Sequence, residues 1–292
     1  LLFLCVCMIH LYVQGEYYHI FLDLASVSRI IDNSNKRGYT GSIIHLNGGI
    51  SMKLLTVAQL QTRVYAQKET NLSLLDGLFC QAKDAGADMI CLPEMFSCPY
   101  ETPNFPVYAE PSGGPSWQTL SRLAKRYQVY LSAGSVPESD EAGNVYNTAY
   151  VFDREGRQIA KHRKVHLFDI DVKGGQRFKE SDTLTAGDKS TVFDTEFGPM
   201  GLCICYDFRF PELARRMVLD GAQVILVPAA FNMTTGPAHW ELLFRQRAVD
   251  NQCFTLGCAP ARDESGSYVS YGNSIAVDPW GTVLCRADEK ET

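Results

Sequence analysis

Three short segments carry residue types that suit nucleophilic catalysis, and the most informative of them contains Cys205. The run GLCICYDFRFPELA begins as an apolar strand, stops at Cys205 and leads into a helix opened by Pro211 and Glu212. The pattern predicts Cys205 at a strand-to-helix elbow, where ligands collect beyond strand ends and a helix N-terminus stabilises a thiolate. A lone cysteine after a strand is also typical of a buried structural thiol, which is our interpretation of Cys203.

A nucleophilic thiol needs a base and a group that stabilises an oxyanion. Glu94 follows directly on the apolar strand of MICLPEMFSCPY, where Pro93 keeps the backbone extended, so we expect its carboxylate on the same edge as Cys205. Lys164 lies in IAKHRKVHLFDID, after a predicted strand over residues 146–152. Taken alone, such a basic run is more typical of a solvated surface.

The elements that must position these residues alternate between strand-like runs and amphipathic helices from residue 52 onward, which indicates an α/β fold. The pattern predicts strands over residues 54–59, 89–92, 129–136, 146–152, 201–205, 224–227, 254–258 and 274–277. It predicts helices around residues 72–82, 117–127, 211–219 and 238–250. No linker-like stretch divides residues 52–292, which we interpret as one domain. The alternation does not by itself distinguish a doubly wound sheet from a sandwich.

Composition excludes several classes of protein. The 292 residues are 46% hydrophobic and 21% charged, which is typical of a globular chain with a sizeable core. Lys and Arg number 27 against 33 Asp and Glu, a net charge of −6, so nucleic acid is not an expected partner. Several of the ten cysteines lie in apolar runs, which favours a reducing compartment. We expect the cytoplasm, with the mitochondrion as the alternative.

The first fifty-one residues differ in character from the rest. Residues 1–13 are strongly apolar but shorter than the roughly 20 residues of a transmembrane helix, and they lack the basic region and cleavage site of a secretory signal. Residues 15–49 mix turn-forming motifs with short apolar runs of no sustained period. We therefore predict no membrane association, and an extension over residues 1–51 that is poorly structured or an artefact of gene prediction.

Together, LPEMFSCPY, HRKVHLFDID and GLCICYDFRFPELA resemble the Glu, Lys and Cys motifs of the carbon-nitrogen hydrolases of the nitrilase superfamily, in that family's order. The resemblance covers nearly everything from Met52 to Trp280. The segments AFNMTTGPAHWELLFRQRAVDNQ and APARDESGSYVSYG are similar to the omega-amidase branch, which hydrolyses the terminal amide of α-ketoglutaramate and α-ketosuccinamate.

The resemblance implies an α/β fold in the form of a four-layer α-β-β-α sandwich with two mixed sheets. It also implies an amidase that uses no cofactor, and a homodimer paired through helices near residues 236–250. Members of the family continue beyond the DPWG turn at residues 278–281, so we expect the domain over residues 52–292 to be C-terminally truncated. Such a chain should be less stable, or less able to dimerise, than a complete one.

The resemblance also assigns roles to residues. Glu94 resembles the family's general base, Lys164 its oxyanion-stabilising lysine and Cys205 its nucleophile, while Glu180 in RFKESDTL falls at the place of a supporting glutamate. An amide reacts poorly, so hydrolysis is best split into two steps through a thioester. Glu94 would move the protons, and Lys164 with the backbone N–H after Cys205 would hold the oxyanion. Glu180 would orient Lys164 and keep it charged.

A 2-oxo dicarboxylate monoamide carries a carboxylate at the end away from the amide, so its pocket needs a cation and hydroxyl donors. Arg209 and Tyr100 are the nearest candidates by sequence, and both could equally be structural. Other expected contacts follow a predicted strand or the nucleophile itself: Tyr206, Phe231, Asn232, Thr234 and Thr235. The loop FNMTTG differs from that of the amidase of deaminated glutathione, which favours the small monoamide.

Other functions stay open at this point. They are an amidase of deaminated glutathione, a nitrilase acting on C≡N, and a catalytically silent scaffold of the same fold, although intact Glu94, Lys164 and Cys205 argue against a scaffold. His162 and His166 stand four apart, but Lys164 between them belongs to another motif and no third ligand follows, so no metal site is expected. No serine-hydrolase elbow, Walker loop or dinucleotide-binding motif is present.

Overall fold

The computed structural model describes residues 5–12, 52–171 and 177–292. The strands in this part are β1 Cys5–Tyr12, β2 Met52–Gln59, β3 Met89–Cys91, β4 Glu110–Pro111, β5 Tyr130–Ser132, β6 Val136–Ser139, β7 Val145–Phe152, β8 Gln158–Arg163, β9 Asp169–Asp171, β10 Arg177–Lys179, β11 Thr191–Thr195, β12 Gly198–Leu202, β13 Val224–Pro228, β14 Phe254–Cys258, β15 Ile275–Val277 and β16 Val283–Arg286. The helices are α1 Lys68–Asp84, α2 Asn104–Tyr108, α3 Pro115–Tyr127, α4 Pro211–Leu219 and α5 Gly236–Asn251.

Two mixed sheets hold most of these strands. The first has eight strands in the order β1-β2-β3-β5-β7-β6-β4, with β8 added on β7. The second has six strands in the order β11-β12-β13-β14-β15-β16. In the first sheet β2, β3 and β5 run parallel, and in the second β12, β13 and β14 do, while the outer pairs are mostly antiparallel. A separate hairpin joins β9 to β10.

Helices cover the outer face of each sheet. In α1, buried apolar residues recur at three- and four-residue spacing, which places Leu75, Leu78 and Phe79 on one face. This face packs with that of α3 against Ile90 of the first sheet. On the other side of the molecule, Phe244 of α5 packs on the second sheet, as does α4. The helices thereby close both outer faces of the sandwich.

The core between the two sheets follows from the two-residue alternation of strands. In β2, Leu55 and Val57 pack in one cluster with Leu202 and Val224 of the second sheet, whereas Ala58 belongs to the cluster under α1 and α3. Both faces of the first sheet are therefore buried, which explains its nearly continuous apolar strands. The predicted α-β-β-α sandwich with two mixed sheets is confirmed.

Most predicted elements are present, with instructive differences. The single predicted strand over residues 129–136 is divided into β5 and β6 because Gly134 has φ +60°, outside the strand region. The strand before Cys205 ends at Leu202, three residues earlier than predicted. The sequence analysis missed β4, the β9–β10 hairpin, β8, β11, β16 and α2.

The prediction for residues 1–51 falls mostly on residues 1–4 and 13–51, which lie outside the described residues. Residues 5–12 form β1, which the sequence analysis did not predict. This strand pairs antiparallel with β2, in a register that places Cys5 opposite Gln59 and Tyr12 opposite Met52.

Candidate active site

Cys205 occupies the predicted elbow. It follows β12 by three residues and begins a 3₁₀ helix, Cys205–Arg209, which leads into α4. Its backbone φ of 47° lies in the left-handed region that residues with a side chain rarely adopt. Such strained backbone is concentrated at functional sites, because the surrounding structure must hold it in place. The side chain is buried and lines a small cavity.

Glu94 lies at a second tight turn, just after β3. The next residue, Met95, has φ 50°, and its N–H donates to the hydroxyl of Ser135 at 3.0 Å. Gly134 fits closely here, because a Cβ at that position would lie 2.2 Å from the carbonyl oxygen of Pro93. The carboxylate of Glu94 is fully buried.

Lys164 follows β8 and reaches the Glu94 carboxylate from the end of that strand. Its backbone N–H donates to the carbonyl of Asn147 at 2.9 Å, and its carbonyl accepts from Gly187 at 2.7 Å. Its Nζ lies 2.9 Å from Oε1 of Glu94 and 2.9 Å from Glu180. None of these three charged side chains is exposed, so the structure brings the predicted base, lysine and second glutamate together.

Glu94 and Cys205 meet across the interface between the sheets. The sequence analysis placed them on one edge, but β3 belongs to the first sheet and β12 to the second. Glu94 lies close enough to Cys205 for its charge to act on the thiol. Face-to-face packing therefore brings the two strand ends together.

The thiol of Cys205 is held in its neutral form. Burial, and then the charge of Glu94, raise its pKa well above the ordinary value, while the charge of Lys164 acts in the opposite direction. The thiolate expected at a helix N-terminus is not favoured, because burial outweighs the short 3₁₀ helix. Attack by the sulfur therefore requires that its proton be removed during the reaction.

The charges around Lys164 are strongly coupled. Burial alone would lower the pKa of Lys164, but the charges of Glu180 and then Glu94 raise it above its ordinary value, so the ammonium is retained. Burial raises the pKa of Glu180, against the charge of Lys164. The hydroxyl of Tyr100 lies 2.6 Å from Glu180 and 3.0 Å from Glu94, between the two carboxylates.

A buried aspartate ties the Lys164 segment to the Cys205 turn. Asp207 accepts hydrogen bonds from the backbone N–H groups of Ile204, Val165 and His166 at 3.0, 3.1 and 2.8 Å. Ring nitrogens of His162 and His166 lie 3.0 and 2.8 Å from the same carboxylate. The two histidines therefore serve this tie, and the described residues contain no cluster of His, Cys, Asp or Glu able to hold a metal ion.

A cavity of about 10 Å³ opens at Cys205. Four of the predicted substrate contacts line this cavity: Tyr206, Arg209, Phe231 and Thr235. Three further lining residues were not predicted from the sequence: Phe168, Ala230 and Tyr268. The guanidinium of Arg209 lies 4.8 Å from the centre of the Phe231 ring and 2.9 Å from Nδ1 of His239. In the part of the chain that the structure describes, no carboxylate pairs with Arg209, and its Nε has no hydrogen-bond partner.

Three predicted substrate contacts lie elsewhere. The hydroxyl of Tyr100 is engaged inside the charged cluster, and its ring lines a second cavity of about 90 Å³ beside Glu94. The side-chain oxygen of Asn232 accepts from the N–H groups of Thr234 and Thr235, so it caps the local turn that leads into α5. Thr234 is exposed.

Sequence reasoning missed Asn147. Its side-chain nitrogen donates to Oε1 of Glu94 at 2.8 Å, and the residue is fully buried in the middle of β7. The available signal was the adjacent polar pair Asn147 and Thr148 in the otherwise apolar run VYNTAYVF, because buried polar groups need a partner.

Comparisons with known proteins agree with this geometry. The family model described as carbon-nitrogen hydrolase matches residues 54–292. Omega-amidase NIT2 of Bos taurus is 50% identical over 241 residues, which cover 82% of this chain and 87% of that protein. Omega-amidase NIT2 of Homo sapiens is 48% identical over 240 residues, with the same coverage of 82% and 87%. The crystal structure of Saccharomyces cerevisiae Nit3, a member of branch 10 of the nitrilase superfamily, has a TM-score of 0.76 at 41% identity and covers 82% of this chain and 87% of its own.

The α-β-β-α sandwich and the family match define an enzyme that cleaves carbon–nitrogen bonds, and the chain belongs to the carbon-nitrogen hydrolase family. Within the nitrilase superfamily it falls in the omega-amidase branch, as the motif resemblance predicted, and it is an amidase. In the described ranges no helix is both long and apolar enough to cross a membrane.

Proposed function

We propose that this amidase hydrolyses the terminal amide of small 2-oxo dicarboxylate monoamides, such as α-ketoglutaramate and α-ketosuccinamate, to the acid and ammonia. One observation carries the proposal: Lys164 Nζ lies 2.9 Å from both Glu94 and Glu180, and the charges of all three residues act on the Cys205 thiol. A nucleophile, a base and a fixed positive charge thus share one buried cluster. The similarity to omega-amidases supports the substrate class.

In the acylation step, Glu94 takes the thiol proton as Sγ of Cys205 attacks the amide carbon. An ammonium has three N–H donors, and Lys164 directs two of them to Glu94 and Glu180 at 2.9 Å. The third makes only a long contact of 3.4 Å to the Tyr100 hydroxyl, so it is the donor that turns to the developing oxyanion. The backbone N–H of Tyr206 is the second donor to that oxyanion. When the tetrahedral intermediate collapses, the C–N bond breaks and Glu94 gives its proton to the departing ammonia.

In the deacylation step, water attacks the thioester and Glu94 takes a proton from it. The same two donors hold the second oxyanion. The C–S bond then breaks, the acid leaves, and Glu94 returns the proton to the sulfur of Cys205, which restores the neutral thiol. Glu180 and the hydroxyl of Tyr100 keep Lys164 charged and aimed at the reacting carbon throughout.

Arg209 is the residue that would bind the distal carboxylate of the substrate. It lines the Cys205 cavity without a carboxylate partner among the described residues, and a guanidinium in such a position is suited to a substrate carboxylate. Burial lowers the pKa of Arg209, although a guanidinium still keeps its charge at neutral pH. Phe231 and Thr235 border the same cavity and would contact the carbon chain of the substrate.

The deciding experiment is a coupled assay of ammonia release from α-ketoglutaramate, with Cys205→Ala as the control. We expect ammonia from the native protein and none above background from the variant. A second control, Cys203→Ala, removes a neighbouring buried thiol of the same strand end and should retain activity. Equal ammonia from the native protein and from Cys205→Ala would refute the proposal.

The substrate class is tested by a panel that adds deaminated glutathione, free glutamine and a simple nitrile. We expect the highest kcat/KM for the 2-oxo monoamide. A clear preference for deaminated glutathione would leave the thioester mechanism in place and overturn the assignment of substrate.

We further propose that the enzyme is a cytoplasmic homodimer. Leu242 and Val249 lie seven residues apart on α5 and are exposed, as is the nearby Trp280, so this face offers apolar surface to a second copy. The thiols of Cys91, Cys203 and Cys253 are buried and form no disulfide, which suits a reducing compartment. Gel filtration should give a dimer that Leu242→Arg converts to monomer, and a native monomer at micromolar concentration would contradict the proposal.

A further inference from the structure

Asn147 touches both charged partners of the reaction from one position in β7. Its side-chain Nδ2 donates to Oε1 of Glu94 at 2.8 Å, and its backbone carbonyl accepts from the N–H of Lys164 at 2.9 Å. The residue is fully buried, and its backbone is fixed by pairing with Pro137 of β6. Its amide is therefore held by the sheet.

The donors around Glu94 are divided unequally between its two oxygens. Oε1 lies 2.8 Å from Asn147 Nδ2 and 2.9 Å from Lys164 Nζ, and these two donors fill the two lone pairs of a carboxylate oxygen. The Tyr100 hydroxyl also lies 3.0 Å from Oε1, but its single proton is directed to the nearer Glu180 at 2.6 Å. Oε2 accepts the backbone N–H of Ala230 at 2.8 Å, which leaves one lone pair. The remaining place for a proton is therefore on Oε2.

Given the proposed function, on which this step rests, we infer that Asn147 is a positioning residue that occupies Oε1 of Glu94 and thereby makes Oε2 the atom that exchanges the Cys205 proton. Lys164 shares its charge with the oxyanion as the reaction proceeds, so its hold on Oε1 weakens at that moment. The amide of Asn147 has no such second duty and donates in every protonation state of the site. It keeps the carboxylate oriented while the proton moves.

The orientation of the amide follows from the same contacts. If the amide were turned around, its oxygen would face the carboxylate of Glu94, and two acceptors would repel each other. In the observed orientation, Oδ1 of Asn147 has no hydrogen-bond partner among the residues that the structure describes. A buried carbonyl without a partner costs stability, and the donor contact to the ionised carboxylate of Glu94 offsets this cost.

The test compares Asn147→Ala and Asn147→Asp in ammonia release from α-ketoglutaramate across pH. Asn147→Ala removes a donor to the ionised carboxylate, so kcat/KM should fall about 10- to 100-fold, mostly through kcat. The acidic limb of the plot of kcat/KM against pH should move up by about one pH unit. Asn147→Asp preserves size but replaces the donor with an acceptor, so it should be less active than Asn147→Ala. A residue that merely filled space would give the opposite order.

Gln59→Ala is the matched control. Gln59 is also a fully buried amide in a strand of the first sheet, and its Nε2 donates to the carbonyls of Gly257 and Ile275 at 2.9 and 3.2 Å, in the second sheet. Like Asn147, it has a side-chain oxygen without a partner in the described ranges. Gln59→Ala should have a lower Tm than the native protein, and the acidic limb of its plot of kcat/KM against pH should coincide with that of the native protein.

A readout that needs no amide substrate separates this inference from the proposed function. Alkylation of Cys205 by iodoacetamide, followed by mass spectrometry of the Cys205 peptide, reports proton removal by Glu94 at each pH. If no amide is hydrolysed but the Asn147→Ala profile shifts, the proposed function fails and the inference stands. If the Asn147→Ala limb coincides with the native limb, or Asn147→Asp is the more active variant, the inference is overturned. Asn147→Ser replaces Asn147→Ala in the same measurements if the alanine variant unfolds.

Discussion

The Nζ atom of Lys164 lies 2.9 Å from Oε1 of Glu94, and neither side chain is exposed to solvent. Glu180 lies at the same distance of 2.9 Å from that nitrogen, so two buried carboxylates share one ammonium. Buried charges are costly unless they are paired, so removal of a single partner leaves an uncompensated charge and lowers the free energy of unfolding. The cluster is therefore a determinant of stability as well as a candidate catalytic centre.

We expect Lys164→Met to lose both activity and stability. Without the ammonium, Glu94 and Glu180 repel each other in a buried site, so the free energy of unfolding should fall by about 3–5 kcal/mol. Ammonia release should fall by a factor of about 10²–10³, because an oxyanion donor is lost. Urea unfolding and the coupled assay measure the two effects.

The double variant Lys164→Met/Glu180→Gln separates these effects. It removes one of the two facing charges, so it should regain part of the lost stability and none of the activity. Recovery of activity in the double variant would contradict the role of Lys164 at the oxyanion.

Arg209→Ala should raise the KM for α-ketoglutaramate about 10- to 100-fold, because a hydrogen-bonded contact to a charged group is lost. For a neutral amide without a distal carboxylate, such as valeramide, KM and kcat should stay nearly unchanged. Arg126→Ala is a suitable control, because Arg126 is an exposed residue of α3 whose ion pair with Asp76 is 2.9 Å long. Equal losses on both substrates would show that Arg209 does not bind the carboxylate.

Gly134→Ala should impair activity more than stability alone explains. A Cβ at Gly134 would lie 2.2 Å from the carbonyl oxygen of Pro93, so the turn that carries Glu94 must shift. Gly143 provides the comparison, since its φ of +85° is also left-handed but no atom lies within 4 Å of the position that an added methyl group would take. Both alanine variants should lose about 1–2 kcal/mol of stability from backbone strain, and Gly134→Ala should lose more because of its overlap with Pro93. Only Gly134→Ala should lose ammonia release, and comparable activity of the two variants would contradict this account.

The sequence supported the individual residues of the site better than their arrangement. Glu94 and Cys205 each follow an apolar run, so their positions just after strand ends were predictable, whereas Lys164 lies in a basic run and was assigned only through the family resemblance. The alternation of apolar residues does not reveal which sheet a strand joins. It therefore could not show that Glu94 and Cys205 come from different sheets and meet by face-to-face packing.

The supporting residues were harder to predict. Asn147 lies inside a strand, and a polar residue there signals a buried hydrogen bond without naming its partner. Asp207 stands in the same motif as Cys205, yet its partners His162 and His166 lie 45 and 41 residues earlier in the chain. Such contacts depend on tertiary packing, which neither propensity nor spacing encodes.

Asp207→Asn tests the tie between the Lys164 segment and the Cys205 turn. Burial acts to raise the pKa of Asp207, but hydrogen bonds from His162, His166 and backbone N–H groups outweigh it and lower that pKa well below its ordinary value of 3.8. A carboxyl whose folded-state pKa is depressed contributes stability that is complete above its unfolded-state pKa and is lost as pH falls toward the folded value. The asparagine variant should therefore be less stable than the native protein by roughly 3 kcal/mol near neutral pH. It should also release ammonia more slowly, because Val165 and Ile204 are no longer held to one carboxylate.

The pH dependence of that difference identifies its cause. Urea unfolding of both proteins should give a constant gap in unfolding free energy from pH 7 down to about pH 5, and a shrinking gap below the ordinary pKa of 3.8. Asp140→Asn is the control, because local hydrogen bonds lower the pKa of Asp140 to about 2 in a surface turn remote from Cys205. That variant should leave ammonia release unchanged. If Asp207→Asn were as active as Asp140→Asn, Asp207 would be a structural residue whose contacts do not align the lysine with the sulfur.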